Sequence, residues 1–426
     1  MEGFEKYYQK DHQTRLDILK QKKYLDQTQL DKLQASASEV KISDAMIENF
    51  ITEYHLPEGL ALNYVVDGQE YLIPFVTEEP SVVAAASHGA ALVKQAGGFK
   101  TTVTERLMIG QIILENVAHP EQVASFLESQ AEKLLALANA AHPSIVKRGG
   151  GAQALKVRVL APDLISLDLI VDVKEAMGAN MLNTMLEACA TYLQTKLGFD
   201  VLISILSNYA TRCLAKATCA LPVELLTRNG LSGAKIAQKI ATASRVAQLD
   251  PYRATTHNKG IMNGIDAVVL ASGNDWRAIE AGAHAYAARD GQYRGLSTWV
   301  VKDDILYGEL ELPLPLGTVG GSIGIVPLVK INQQLLRLKD ARQLEAIVAA
   351  VGLGQNLAAL YALVTDGIQK GHMRLQLKSL ALSVGATKAE LEPVVSRLEA
   401  LQARDQATAK KVLEELRNKQ SERSRT

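Results

Sequence analysis

The sequence predicts an α+β protein with three parts: a large domain that mixes helices and strands, a smaller inserted unit, and a helical C-terminal lid. Three observations support this prediction. Strand and helix patterns follow one another in a recognisable order from residue 107 to 207, apolar Ala-rich and Gly-rich helices lie on both sides of that segment, and the last fifty residues are charged and amphipathic.

Composition limits the class of protein. The 426 residues suffice for two or three domains, with 47% hydrophobic residues and 46 basic residues balancing 46 acidic ones. This balance excludes a strongly basic nucleic-acid binder and an acidic disordered protein. The three cysteines have neither disulfide-framework nor zinc-site spacing, so we expect no metal. The N-terminus is too charged for a signal peptide, and we expect a cytoplasmic protein.

The first hundred residues predict helices around one hairpin. Residues 13–36 have the spacing of one amphipathic helix, and 44–54 that of a second. Asp67-Gly68 then marks a hairpin turn between two strand-like runs. The helix that follows Pro80 is rich in Ala and Gly, which predicts that another element packs close to its backbone.

Residues 107–207 predict a separate unit. A strand and a helix opened by Pro120 are followed by two strands, a second helix and a closing strand. The order βαββαβ is that of a ferredoxin-like fold. The Gly-bearing turn 175–180 joins a strand to a helix N-terminus, where free N–H groups can take up phosphate. It is not a GxGxxG fingerprint, so the nucleotide signal is weak by itself.

The rest of the chain predicts more helices and one Gly-rich loop. Residues 222–248 look helical, and 317–324 form the loop. Ala346–Val364 has the length of a membrane span, but its central Gly, Gln and Asn residues favour a buried helix, and no membrane contact is expected. The last fifty residues predict two helices, broken around 384–390, that form a mobile lid.

The segment 250–286 gathers polar residues around the apolar run Ala267–Ala271, which is short enough for a buried strand. Lys259 and Asp275 would then lie at the ends of a buried element, where desolvation and mutual charge shift pKa values. A structural ion-pair network is the alternative interpretation.

Four side chains form the candidate chemistry set: Glu79, Lys259, Asp275 and His372. A lysine can polarise a carbonyl oxygen, a carboxylic acid can donate a proton, and an imidazolium can protonate a leaving group. For Glu79 the alternative is a structural role at a helix start. The polar pair Gln355 and Asn356 either belongs to a core network or lines a pocket.

Seven motifs carry a resemblance to class II (bacterial-type) 3-hydroxy-3-methylglutaryl-coenzyme A (HMG-CoA) reductases. In order they are EEPSVVAAAS at 78–87, VDVKEAMGANMLNTM at 171–185, DPYRATTHNKGIMNGID at 250–266, ASGNDWRAIEAGAHAYA at 271–287, GTVGG at 317–321, VGLGQNLAAL at 351–360 and GIQKGHM at 367–373.

The resemblance implies a four-electron reduction of HMG-CoA to mevalonate and coenzyme A in two steps, with two reduced nicotinamides. Lys259 would stabilise the oxyanion of mevaldyl-CoA and the carbonyl of mevaldehyde. Glu79, with a pKa raised by burial, would protonate the alkoxide. Asp275 would hold the Lys–Glu network, and His372 would protonate the departing thiolate.

The resemblance also implies binding sites and domains. The HMG group would be bound by Ser81, Arg253, Asn263 and Gln355. The dinucleotide would lie against Met177, Gly178, Ala179 and Asn180. The large domain would comprise 1–105 and 217–374, the nucleotide domain 106–216, and the closing flap 375–426. The expected assembly is a homodimer, with substrate on one subunit and nucleotide on the small domain of the other.

One departure from the family concerns the cofactor. NADH-preferring members carry an aspartate near the end of the first small-domain helix. Here His142 and Ser144 are followed by Lys147 and Arg148, which suit a 2′-phosphate, so we predict NADPH. Use of NAD(H) to oxidise mevalonate is the alternative. A lysine-dependent Schiff-base enzyme and a non-catalytic ligand-binding scaffold are the remoter ones.

Overall fold

The computed structural model describes residues 3–228, 230–365 and 367–423, and of these the side chains of all but 368–375 and 419–423. The chain forms two compact units, Met1–Glu58 and Gly59–Thr426.

The first unit contains three helices: α1 (His12–Gln21), α2 (Gln27–Ser36) and α3 (Val40–Met46). The single helix predicted at 13–36 is wrong because Asp26 begins a new helix, with a reciprocal capping box to Gln29. The helix predicted at 44–54 is also wrong. Asn49 has a left-handed φ of 59°, which a continuing helix does not allow.

The strands that follow are β1 (Glu58–Val66), β2 (Gln69–Val76), β3 (Lys100–Val103), β4 (Leu107–Glu115), β5 (Gly151–Ala161), β6 (Leu164–Asp172), β7 (Asp200–Ser207), β8 (Leu214–Pro222), β9 (Ser297–Lys302) and β10 (Ile305–Pro313). The helices are α4 (Val82–Gln95), α5 (Pro120–Ser129), α6 (Ala131–Ala141), α7 (Pro143–Lys147), α8 (Ala179–Leu197), α9 (Gly233–Leu249), α10 (Pro251–Ala271), α11 (Trp276–Ala287), α12 (Pro327–Leu335), α13 (Ala341–Val364), α14 (Ile368–Ser383), α15 (Leu391–Leu401) and α16 (Gln406–Arg423).

Helix α13 lies in the largest hydrophobic core, together with the hairpin β1-β2 and the sheet β3-β8-β10-β9. It is long and apolar enough to cross a membrane, but 78% of its most apolar segment is buried inside the protein. This burial confirms the prediction of a buried core helix.

The close packing predicted for α4 is confirmed at Gly89. A Cβ atom at this position would lie 2.0 Å from the carbonyl oxygen of Gly354 on α13. Backbone atoms of two packed helices cannot separate without losing their core contacts.

We expect Gly89→Ala to lower the free energy of unfolding by about 3 kcal/mol, because the added methyl overpacks this crossing. Gly260→Ala is the matched control, since its added Cβ would meet nothing closer than Ala359 at 4.0 Å. It should be neutral or stabilising by about 0.5–1 kcal/mol. Denaturant unfolding compares the two variants, and equal stability would contradict the expected clash.

The inserted unit has the predicted βαββαβ order. Its antiparallel sheet runs β5-β6-β4-β7, with α5, α6 and α8 supplying the helices and a separate hydrophobic core. The helix predicted to open at Pro120 is divided into α5 and α6 at Gln130. The domain bounds 106–216 stay a prediction.

The C-terminal helices α14, α15 and α16 share a third core. The prediction of two helices is wrong because Gln402 takes a left-handed φ of 52° and Asp405 accepts a hydrogen bond from the N–H of Thr408, which starts another helix. The flap bounds 375–426 and the lid motion stay predictions.

Candidate active site

The centre of the candidate site is α10, and here the prediction of a buried strand at Ala267–Ala271 is wrong. Asp250 caps the helix by accepting from the N–H groups of Tyr252 and Arg253, and Pro251 occupies its first position. The helix continues through the apolar run to Ala271. A short apolar run fits either a strand or one turn of a buried helix, so its length does not distinguish the two.

The structure brings together Glu79 and Lys259, which are 180 residues apart in sequence. The Lys259 Nζ atom lies 2.8 Å from Glu79 Oε2. Glu79 lies three residues after β2, which packs against α10, and three residues before α4. The side chain of Lys259 is 60% exposed and that of Glu79 is 35% exposed, so the burial expected around them is not present in this structure.

Ser81 lies two residues beyond Glu79 and takes the N-cap position of α4. Its φ of 80° is in the left-handed region, which costs a non-glycine residue about 1 kcal/mol or more. Such backbone strain clusters at functional sites, and here it adjoins the Glu79–Lys259 pair.

Two further polar side chains, one on α10 and one on α13, carry buried atoms without a partner in the described part of the chain. The Nε atom of Arg253 and the Oε1 atom of Gln355 are buried and have no hydrogen-bond partner among the described residues. Gly264 makes room for Gln355, because a Cβ there would lie 3.1 Å from the glutamine Cβ. Asn263 is one helical turn from Lys259. An unpaired buried donor and acceptor are costly unless a ligand completes them.

Within one chain, Asp275 is not paired with Glu79 or Lys259. It caps α11, accepting from the N–H groups of Arg277 and Ala278 at 3.0 and 3.2 Å. The N–H of Asn274 donates to the Val269 carbonyl, which places this turn at the C-terminal end of α10. Lys259 lies ten residues before Val269, about 15 Å along the helix axis. The predicted Lys–Asp contact stays a prediction.

His372 falls within α14, but its side chain lies outside those that the structure describes. Its predicted role as the thiolate's proton donor therefore stays a prediction.

The turn predicted to hold the dinucleotide joins β6 to α8. Gly178 is the N-cap of α8 with a φ of 97°, and Ala179 and Asn180 open the helix. A Cβ at Gly178 would lie 2.4 Å from Val173, so only glycine fits. Among the described residues no side chain caps this end, and its N–H groups match the needs of a pyrophosphate.

The proposed adenosine end lies where α6 meets α7. His142 ends α6, and its Nδ1 atom lies 3.2 Å from the Ser144 hydroxyl. Lys147 and Arg148 follow and are exposed. The segment 142–148 presents hydrogen-bonding and positive groups together and contains no Asp or Glu.

Sequence reasoning missed a buried network beside the site. His257 Nε2 lies 2.7 Å from the Ser297 hydroxyl, which donates to Asn356 Oδ1 at 2.8 Å, and Trp299 donates to the same oxygen at 2.7 Å. Burial and then the charge of Arg253 lower the pKa of His257 to about 4. Asn356 thus belongs to the core network, whereas Gln355 adjoins Arg253's helix with an unpaired oxygen.

A second missed feature is a pair of neighbouring carboxyls. Burial and the adjacent carboxylate of Glu280 raise the pKa of Asp266 to about 8. A hydrogen bond from His284, at 2.5 Å, holds the pKa of Glu280 below its ordinary value. Asp266 follows Lys259 by two helical turns.

The described residues contain no group of three or more His, Cys, Asp or Glu side chains placed to hold a metal ion.

Comparison with known proteins identifies the family. The family model for hydroxymethylglutaryl-coenzyme A reductase matches residues 11–377. The 3-hydroxy-3-methylglutaryl-coenzyme A reductase of Archaeoglobus fulgidus is 42% identical over 385 residues, which are 88% of this chain and 86% of that protein. A probable reductase of the same name from Borreliella burgdorferi is 34% identical over 79% of this chain and 77% of its own length.

A solved structure agrees. The class II 3-hydroxy-3-methylglutaryl-CoA reductase from Streptococcus pneumoniae, bound to NADPH in open conformations, is 49% identical with a TM-score of 0.75 over 96% of this chain and 100% of that chain. The match confirms the α+β fold class. With its family motifs in order and residues 11–377 matched, this chain belongs to the hydroxymethylglutaryl-coenzyme A reductase family.

Proposed function

We propose that this protein reduces HMG-CoA to mevalonate and coenzyme A with two NADPH, as an enzyme of the mevalonate pathway that leads to isoprenoids. The observation that carries the proposal is the Lys259–Glu79 pair at 2.8 Å. Arg253, on the same helix as Lys259, and Gln355, on α13, add buried side-chain atoms without hydrogen-bond partners among the described residues. NADPH supplies one hydride in each of the two reductions.

The chain's own residues would handle charge and protons. In the first reduction Lys259 stabilises negative charge on the thioester oxygen. The C–S bond then breaks, and His372 gives its proton to the thiolate of coenzyme A. In the second reduction Glu79 gives a proton to the alkoxide of mevalonate. Because Glu79 and Lys259 are paired, the proton and the stabilising positive charge are both supplied at the same substrate oxygen.

Arg253 would bind the free carboxylate of the HMG group. It lies six residues before Lys259 on α10, about 9 Å along the axis, a separation that long side chains can bridge to the two ends of a five-carbon diacid. Ser81, Asn263 and Gln355 would bind its hydroxyl and carboxylate oxygens. The unpaired Nε of Arg253 and Oε1 of Gln355 support these roles.

The nucleotide would bind at Met177–Asn180, with its 2′-phosphate toward His142, Ser144, Lys147 and Arg148. The proposed assembly is a homodimer with the substrate on one subunit and the nucleotide on the small domain of the other. A second subunit also offers a second Asp275, which supports a dimer because one chain holds that carboxylate away from Lys259. A cytoplasmic location completes the proposal.

The ammonium of Lys259 is salt-bridged and 60% exposed, unlike the desolvated amine that Schiff-base chemistry needs.

The assay follows the near-ultraviolet absorbance of NADPH with and without HMG-CoA. Oxidation that depends on HMG-CoA and releases free coenzyme A thiol supports the proposal. Absence of both would refute it and leave a ligand-binding scaffold.

The cofactor preference is a separate prediction. We expect a higher kcat/KM with NADPH than with NADH, because positive and hydrogen-bonding groups lie where a ribose-binding carboxylate would repel the 2′-phosphate. Steady-state kinetics with each nucleotide measure the ratio. A higher kcat/KM with NADH would favour the oxidative, NAD(H)-linked alternative.

A further inference from the structure

The buried guanidinium of Arg106 donates hydrogen bonds to the segment that leads into the predicted cofactor turn. Arg106, which is 3% exposed, precedes β4. Its Nε donates to the carbonyl of Lys174 at 2.5 Å, and its Nη2 donates to the carbonyls of Ala176 and Leu316 at 2.9 and 2.5 Å. Two of these three acceptors belong to the segment that leads into Met177 and Gly178.

The counterion comes from the largest core. Glu345 on α13 is 1% exposed and accepts a hydrogen bond from Arg106 Nη1. The thiol of Cys213 contacts the same carboxylate oxygen at 3.4 Å. Removing two charges from water costs several kcal/mol per ion, and an apolar pair of similar volume is often as stable. Fold stability alone therefore gives little reason for this pair at this place.

The other side of the turn is fixed by the loop after β10. The N–H of Thr318 donates to the Glu175 carbonyl at 2.8 Å. The Glu175 carboxylate accepts from the Thr318 hydroxyl at 3.0 Å and from the N–H of Ala341, at the start of α13, at 2.8 Å. Gly317 approaches so closely that a Cβ would lie 2.8 Å from the Met177 nitrogen.

These contacts fix the turn from both sides before Gly178 reverses the chain. The carbonyls of Lys174, Glu175 and Ala176 are all used by Arg106 and Thr318. The N–H groups that open α8 remain for an anion. We propose that Arg106 and Glu345 are positioning residues that set this turn for the pyrophosphate of the dinucleotide. The inference rests on the proposed function.

The test replaces both charges with methionine, as R106M/E345M. We expect the KM and the Kd for NADPH to rise about tenfold, the effect of losing hydrogen bonds from a charged donor. The KM for HMG-CoA should stay within about twofold. The Tm should fall only modestly, because the carbonyls of Lys174, Ala176 and Leu316 lose a donor but no charge is left buried alone. The single variant E345Q should lower the Tm more, since it leaves the guanidinium unpaired.

Direct NADPH binding, followed by quenching of protein fluorescence, separates this inference from the proposed function. Wild-type protein that binds NADPH without reducing HMG-CoA would refute the function, while the Kd comparison would still test the pair. A double variant with wild-type NADPH affinity would overturn the inference. Equal rises in both KM values would also overturn it, because they would mean a general structural role. If the double variant does not fold, R106K, which keeps the charge but not the fork of donors, should show the same selective loss.

Discussion

Replacing Lys259 with methionine is expected to lower kcat about 100- to 1000-fold, the usual cost of removing one group that stabilises an oxyanion. The effect should appear in both reductions, because each one places negative charge on the same oxygen. The KM for NADPH should stay within about twofold, since Lys259 contacts Glu79 rather than the cofactor turn. Steady-state kinetics with HMG-CoA, and separately with mevaldehyde, measure the two steps.

Lys235→Met is the matched control, because this exposed lysine on α9 lies outside the proposed site. It should keep wild-type kcat. Glu79→Gln should lose activity to a similar extent as Lys259→Met, since an amide keeps a hydrogen bond to the ammonium but has no acid proton to give. Wild-type kcat in Lys259→Met would refute the assigned role. Borohydride trapping of substrate on Lys259 would show that the lysine forms a Schiff base instead of stabilising an oxyanion.

The inserted unit could be predicted from the sequence because each of its elements carries its own periodicity. The strands and helices between residues 107 and 207 follow one another in the predicted order. The strand order then follows from the βαββαβ sequence of elements, since that motif has few compact arrangements.

The helix α10 shows where periodicity fails. Five apolar residues do not distinguish a strand from a helical turn, but the helix start was readable from Asp250 followed by Pro251. The capping signal at the N-terminal end was the better guide than the apolar run at the other end.

The candidate site could not be assembled from local patterns. Glu79 and Lys259 are separated by 180 residues, and Arg106 and Glu345 by 239. No local spacing relates residues so distant. The residue types placed Glu79 and Lys259 in one candidate set, and the resemblance implied that they form a network, but nothing in the sequence singled out Arg106 and Glu345. In the sequence Asp266 is one polar residue among many in the segment 250–286. Its raised pKa comes from burial and from the neighbouring Glu280, which only the folded structure brings about.

That carboxyl pair predicts an unusual dependence of stability on pH. In the unfolded chain Asp266 has a pKa of about 4, whereas burial and Glu280 raise the folded pKa to about 8. Below pH 4 Asp266 is protonated in both the folded and the unfolded state, so its carboxyl does not lower the free energy of unfolding. Between about pH 4 and pH 8 the unfolded state releases its proton first, so the free energy of unfolding falls as the pH rises. Above pH 8 the loss is complete.

Asp266→Asn should remove this fall, because the amide stays neutral and can still donate a hydrogen bond to the Glu280 carboxylate. At pH 8 we expect the variant to be more stable than wild type by about 2–4 kcal/mol, and at pH 4 to be equal to it. Asp290→Asn, at an exposed position, is the control and should run parallel to wild type. Denaturant unfolding at a series of pH values gives the difference. A constant gap between the Asp266→Asn and wild-type curves would show that Asp266 does not hold a proton in the folded protein, because only a proton bound more tightly in the folded state makes the gap grow with pH.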